Sequence, residues 1–148
     1  PRPLPYLWDE ADQASGAFAI RLEAWLQTAE MARRKLEPVR LSRSAARHMY
    51  WTAAQLLTHH ASNGCNLQPG DLLGTGTISA PTEDGFGSLL EITQGGQQPL
   101  ELPTGETRSF LEDGDTLILS GTAEAEGFVS IGFGPCRGAI APAPAVEG

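Results

Sequence analysis

At 148 residues and 15.7 kDa the chain is the size of one domain, and its net charge of −8 disfavours phosphate backbones and anionic lipid as partners. No apolar run approaches the ~20 residues that cross a bilayer, no basic-then-apolar leader opens the chain, and Cys65 and Cys136 read as free thiols, so a cytoplasmic protein that binds neither nucleic acid nor membrane is expected. With 17 glycines and 11 prolines, many turns and short strands are expected rather than a helical bundle.

Pro1-Arg2-Pro3-Leu4-Pro5 reads as a stiff polyproline-type connector, because each proline fixes φ and disfavours helix in the residue before it. Phe18, Ile20, Leu22, Ala24 and Leu26 alternate with other residues in the period of two that marks a strand with one buried face. Thr28 to Pro38 is helix-prone but short, a surface loop or a single helical turn. From Ser44 to Ser62 the apolar positions Ala46, Met49, Tyr50, Ala53, Leu57 and Ala61 recur at three or four residues, which predicts one long helix. Ser42 or Ser44 would cap its start, and Asn63-Gly64 would stop it. Beyond Pro69-Gly70 turn signals crowd the chain, with strands expected at Leu89–Thr93, Thr116–Ser120 and Phe128–Phe133. The tail from 141 to 148 has no periodicity and reads as flexible.

Several residues invite chemistry. His59 and His60, adjacent on a helix, point about 100° apart and cannot grip one ion together, with His60 turned toward the apolar stripe. Cys65, just past the helix, reads as a small buried hydrophobe. Gly74-Thr75-Gly76-Thr77-Ile78-Ser79 lacks the following helix of a dinucleotide loop, since Pro81 intervenes. Gly76 and Thr77 can still bring backbone N–H groups and a hydroxyl close to an oxyanion; a tolerated strand edge is the alternative. Glu91, expected on a strand with Leu90 and Ile92 buried on its other face, is solvated, paired or catalytic. Asp113-Gly114-Asp115 reads as a turn held by its own side chains.

Composition and spacing stop at a β-rich domain with one helix. The words of the sequence go further. His48-Met49-Tyr50-Trp51-Thr52, then His59-His60 with Asn63-Gly64-Cys65, then Pro69-Gly70-Asp71-Leu72-Leu73, closely resemble the fumarylacetoacetase (fumarylacetoacetate hydrolase) family. Gly76-Thr77-Ile78-Ser79, Gly87-Ser88-Leu89-Leu90-Glu91, Phe110 to Asp115 and Ile131-Gly132-Phe133-Gly134 continue the likeness, and Pro3 to Leu7 extends it to the start. The departures are Ala45-Ala46, where the family has an asparagine and an aromatic, and Ala80, where it has a glycine.

The resemblance implies that residues 1–140 are the C-terminal part of a catalytic domain, incomplete by itself, of mainly β, α+β class: a mixed β-roll that assembles as a homodimer. It implies hydrolysis of a carbon–carbon bond in the small molecule fumarylacetoacetate, giving fumarate and acetoacetate in the last step of tyrosine and phenylalanine breakdown. Thr77, beside Gly76, would bind substrate and Glu91 would orient a catalytic histidine. That histidine and the ligands of the implied Mg2+ or Ca2+ belong to the family's upstream portion, so the chain alone would be inactive. The rivals are an acylpyruvate hydrolase or 2-oxoacid hydratase of the wider superfamily, and a non-catalytic fragment.

Overall fold

Residues 2–144 are described by a computed structural model; Pro1 and residues 145–148, the end of the expected tail, lie outside the described residues. In chain order the elements are α1 (Glu10–Ser15), β1 (Ile20–Gln27), α2 (Ala29–Arg33), β2 (Val39–Ala45), α3 (Ala53–Ala61), α4 (Leu89–Ile92), β3 (Leu100–Glu101), β4 (Thr107–Arg108), β5 (Thr116–Ala123), β6 (Ile131–Gly132) and β7 (Cys136–Ala139). This mixture of sheet and helix is the expected α+β class. The main sheet is antiparallel, in the order β2-β1-β5-β6, with β7 also on β5, and β3 and β4 form a separate hairpin. None of the helices is long and apolar enough to cross a membrane, among the described residues.

The strands expected at Phe18–Leu26 and Thr116–Ser120 are the centre of the sheet. β1 and β5 pair along their whole length, from Ile20 opposite Ala123 to Gln27 opposite Thr116. Since side chains alternate, one face carries Leu22, Ala24, Leu26 and Leu119, and the other carries Arg21, Glu23 and Trp25. Thr28 caps the single helical turn α2, its Oγ1 accepting from Met31 N at 3.0 Å, and Leu26, Thr28 and Met31 are fully buried beneath that turn.

The expected helix from Ser44 to Ser62 is much shorter. Val39–Ala45 continues the sheet instead, placing Ser42 and Ser44 on a buried face rather than at a helix start, and a 3-10 turn at Ala46–His48 follows. The helix begins at Thr52, where a capping box closes: Thr52 Oγ1 accepts from Gln55 N and Gln55 Oε1 accepts from Thr52 N, both at 3.1 Å. Two satisfied N–H groups outweigh the apolar stripe. The residue that α3 buries is Gln55, whose amide also donates to Leu7 O at 3.0 Å.

The strand expected at Leu89–Thr93 is the short helix α4. Ser88 Oγ accepts from Glu91 N, and the inward residues Leu89, Ile92 and Thr93 follow helical spacing, leaving Leu90 exposed rather than buried. Of Phe128–Phe133, only Ile131–Gly132 pairs with β5; Phe128 and Val129 are 81% and 89% exposed. Pro5–Leu7 is a 3-10 turn, so the connector is not wholly extended.

Asp113-Gly114-Asp115 is a turn, with Gly114 at φ +88° and Asp115 Oδ2 accepting from Glu112 N. Asp115 does more than close it. Fully buried, it takes two hydrogen bonds from Arg108, Nε to Oδ2 at 2.8 Å and an NH2 to Oδ1 at 3.0 Å. The carboxylate raises the Arg108 guanidinium further above its already high value. Glu106 joins Arg108 at 3.2 Å and accepts from the hydroxyls of Thr104 and Thr28. Those hydroxyls first, then Arg108, hold the Glu106 carboxyl below the usual carboxylate range.

Asp115→Asn removes the charge that pairs a buried guanidinium, and should lower unfolding free energy by about 3 kcal/mol, the lower end for such a break because Glu106 and Glu112 remain near Arg108. A urea midpoint within error of wild type would contradict this.

Because its folded pKa is depressed, Glu106 contributes stability that is fully present above its ordinary value near 4.5 and is lost as pH falls through the folded one. Glu106→Gln should therefore flatten the fall in urea midpoint between about pH 5 and pH 3. Glu30, which Arg33 and Arg34 hold down at about 2, leaves a residual slope in the variant. An unaltered acid limb would show that Glu106 is not a stabilising group.

Candidate active site

The glycine-rich segment runs from Gly74 to Ala80 without helix or strand. Gly76 takes φ +73°, a conformation that side chains rarely adopt, and this turns the chain so that Thr77, Ile78 and Ser79 lie along the 86–88 segment. The approach is close. A Cβ added at Gly87 would collide with Thr77 Cγ2 and stand 2.8 Å from Ile78 O, so only glycine allows the two segments to touch here.

Glu91 stands at the far side of that contact. Its position in the first turn of α4, three residues after the cap Ser88, aims its carboxylate back across Gly87. Ser79 Oγ lies 2.9 and 2.8 Å from the two carboxylate oxygens, and the Gly87 N–H and Ser88 Oγ each donate to Oε2 at 3.1 Å. Ser79 Oγ in turn accepts from Gly87 N at 3.1 Å. The carboxylate is exposed yet held by three donors, so its orientation is fixed while part of its surface stays open.

Thr77 and Ser79 also border a groove of about 360 Å³ with His48, Tyr50, Trp51 and Leu56. Tyr50 and Trp51 meet edge to face, their ring centroids 4.7 Å apart, and give that wall an apolar surface. The exposed Thr77 hydroxyl and the apolar rings together suit a ligand with a polar end and a carbon chain.

The structure thus brings Gly76, Thr77 and Glu91 into one assembly and leaves the other candidates outside it. His59 Nδ1 pairs with Tyr6 OH at 2.7 Å, whereas His60 Nε2 lies 3.3 Å from Cys65 Sγ, so the two imidazoles do diverge. His60 and Cys65 are both exposed rather than turned to an apolar stripe or buried, because α3 presents Gln55 inward. Asp113 and Asp115 belong to the buried network. No group of three or more His, Cys, Asp and Glu could hold a metal ion among the described residues, so the residues present do not fit the implied divalent ion.

Two members of the assembly escape sequence reasoning. Ser79 carries no signal of its own, since its role depends on a fold-back twelve residues long. Ser88-Leu89-Leu90-Glu91 does carry one: serine followed three residues later by glutamate marks a helix start, and would have placed Glu91 on a helix.

Comparison with known proteins agrees with this reading of the motifs. The family model described as fumarylacetoacetate (FAA) hydrolase C-terminal matches residues 11–141. Fumarylacetoacetase of Arabidopsis thaliana is 46% identical over 144 residues, 97% of this chain and 32% of that protein. The human fumarylacetoacetase is 45% identical over 143 residues, again 97% of this chain and 32% of the relative. The Caenorhabditis elegans fumarylacetoacetase is 54% identical over 98 residues, 66% of this chain. The chain spans about a third of the length of these relatives. With the Thr77 loop, the Gly87 crossing and Glu91 joined as described, and with the family model matched across 11–141, the chain belongs to the fumarylacetoacetate hydrolase family and corresponds to its C-terminal part.

Proposed function

We propose that this chain supplies the Thr77–Glu91 half of an active site that hydrolyses the carbon–carbon bond of fumarylacetoacetate. One observation carries the reading: the Ser79 hydroxyl ties the loop that bears Thr77 to the carboxylate of Glu91, so a substrate-binding residue and a positioning acid share one rigid unit. Relatives at 45–46% identity that carry the name fumarylacetoacetase support the substrate.

Glu91 accepts the Nδ1–H of an imidazole brought by polypeptide outside this chain. That pairing fixes the tautomer in which Nε2 is free to take a proton from water, and it stabilises the imidazolium that forms. Hydroxide adds to the ketone carbon, the carbon–carbon bond breaks, and the proton held on the imidazole passes to the departing acetoacetate carbanion. Thr77 Oγ1 donates to a carboxylate of the substrate, and Gly76 lets the backbone approach it. Tyr50 and Trp51 cover the carbon chain. The working protein is a cytoplasmic homodimer in which the remaining two thirds, comparable to those of its relatives, completes the site.

The 148-residue chain alone should leave fumarylacetoacetate absorbance unchanged, since it lacks the base. In the complete protein Glu91→Gln, nearly isosteric but uncharged, should lower kcat by about 10² to 10⁴ with little change in KM. Equal kcat in Glu91→Gln and wild type would remove Glu91 from the mechanism, and faster turnover of acylpyruvates than of fumarylacetoacetate would replace the substrate.

Thr77→Val keeps the shape and removes the donor. In the complete protein it should raise KM and cost about 1 to 3 kcal/mol in kcat/KM, the range for a hydrogen bond to a charged group. Wild-type kinetics in a well-folded variant would return Thr77 to a purely structural role beside Gly87.

A further inference from the structure

A cavity of about 180 Å³ adjoins the groove that holds Thr77, and the chain's first residues, Leu4, Tyr6 and Leu7, line its far side. Trp51 and Leu56 border both spaces, and no other described residue does. The far side is held in place. Tyr6 OH lies 2.7 Å from His59 Nδ1, with the two rings stacked 6.4 Å apart, and Gln55 Nε2 donates to Leu7 O at 3.0 Å. These contacts fasten the Pro5–Leu7 turn to α3 at two points, so the space does not depend on Trp51 to keep it open.

The groove itself has a polar and an apolar wall. The hydroxyls of Thr75, Thr77 and Ser79 all come from the glycine-rich segment, whereas Trp51 and Leu56 come from the residues that open α3. Thr75 donates to Gly76 O at 3.0 Å and Ser79 is engaged by Glu91, which leaves the Thr77 hydroxyl to a ligand. A carboxylate anchored at Thr77 thus directs its carbon chain toward the side bounded by the indole, the largest apolar surface a side chain can offer.

We propose that Trp51 sets the length of carbon chain the site accepts, its indole being the partition between the groove and the second cavity. A short-chain carboxylate fits in front of it; a longer one needs the space behind. The inference rests on the reading of Thr77 as the residue that binds a carboxylate, and adds the residue that limits what that carboxylate carries.

The test is calorimetric titration of the complete protein with a series of straight-chain carboxylates, from acetate to decanoate. In the wild type the affinity should rise about fourfold per buried methylene and then level off where the chain meets the indole. Trp51→Ala should extend the rise by about two carbons, since large-to-small changes leave much of the vacated space open. Decanoate should then bind the variant at least tenfold more tightly than wild type, and acetate should bind both equally. Trp51→Phe should give an intermediate limit. Leu4→Trp, which fills the second cavity from its far side, should leave the wild-type limit where it is but cancel the gain in Trp51→Ala, an effect that general loosening of the fold would not produce. Thr77→Val should weaken every member of the series alike, because it removes the anchor and not the partition. The same limit in Trp51→Ala and wild type, with Thr77→Val weakening both, would overturn the partition alone. A series that Thr77→Val does not affect, or heats that saturate with no member of it, would overturn the anchor and the inference with it.

Discussion

Taking a guanidinium and a carboxylate out of water is expensive unless both are fully paired, and the Arg108–Asp115 contact meets that demand with two hydrogen bonds and no solvent on the acid. Its placement matters more than its strength. Arg108 ends the β3–β4 hairpin and Asp115 immediately precedes β5, the strand that pairs with β1, β6 and β7. Through Glu106 the same network reaches Thr28, which caps the helical turn between β1 and β2. One polar cluster thus fixes the hairpin, the first helical turn after β1 and the entry to the central strand in a single arrangement. A carboxylate in that network has one satisfactory position, which an apolar contact of similar area would not impose.

The site is built on a different principle. Glu91 receives its donors from within a short stretch, Ser79 to Ser88, so its orientation is set by local chain geometry rather than by distant packing. Gly87 is the hinge of that design, because its lack of a side chain lets two irregular segments lie in contact without a regular element between them. A loop pair pinned by three donors to one carboxylate is stiff in the sense that matters for chemistry. The acid keeps its direction whether or not its eventual partner is present.

Much of the fold can be read from the chain where the apolar period is clean. β1 shows the period of two in Ile20, Leu22, Ala24 and Leu26, and β5 stands out as a β-rich run, Thr116 to Ser120, following the turn at Asp113-Gly114. β2 hides because Ser42 and Ser44 stand at its buried positions, so its inward face looks polar. The true start of α3 was written as Thr52-x-x-Gln55, yet the apolar stripe running from Ala46 overrode the cap signal. Leu89-Leu90-Glu91-Ile92 holds three apolar residues in four, too short a stretch for periodicity to distinguish helix from strand. Within the site, Thr77, Ser79, Gly87 and Glu91 all stand in motifs of the sequence, but the contacts that Ser79 and Gly87 make exist only once the chain has folded back, information that no local pattern contains.

The register of the central strand pair also sets an order of events during synthesis. β2 follows β1 by a dozen residues and can pair with it early, but Thr116, the first residue of β5, is made about 90 residues after Gln27. At roughly 5 to 20 residues per second, the free edge of β1 waits on the order of 5 to 20 s for its second neighbour. During that interval an unpaired edge and the apolar side chains Leu22, Ala24 and Leu26 face the surroundings of the ribosome. The same long-range pairing that places β1 inside the sheet therefore leaves one of its edges open while the chain is still growing.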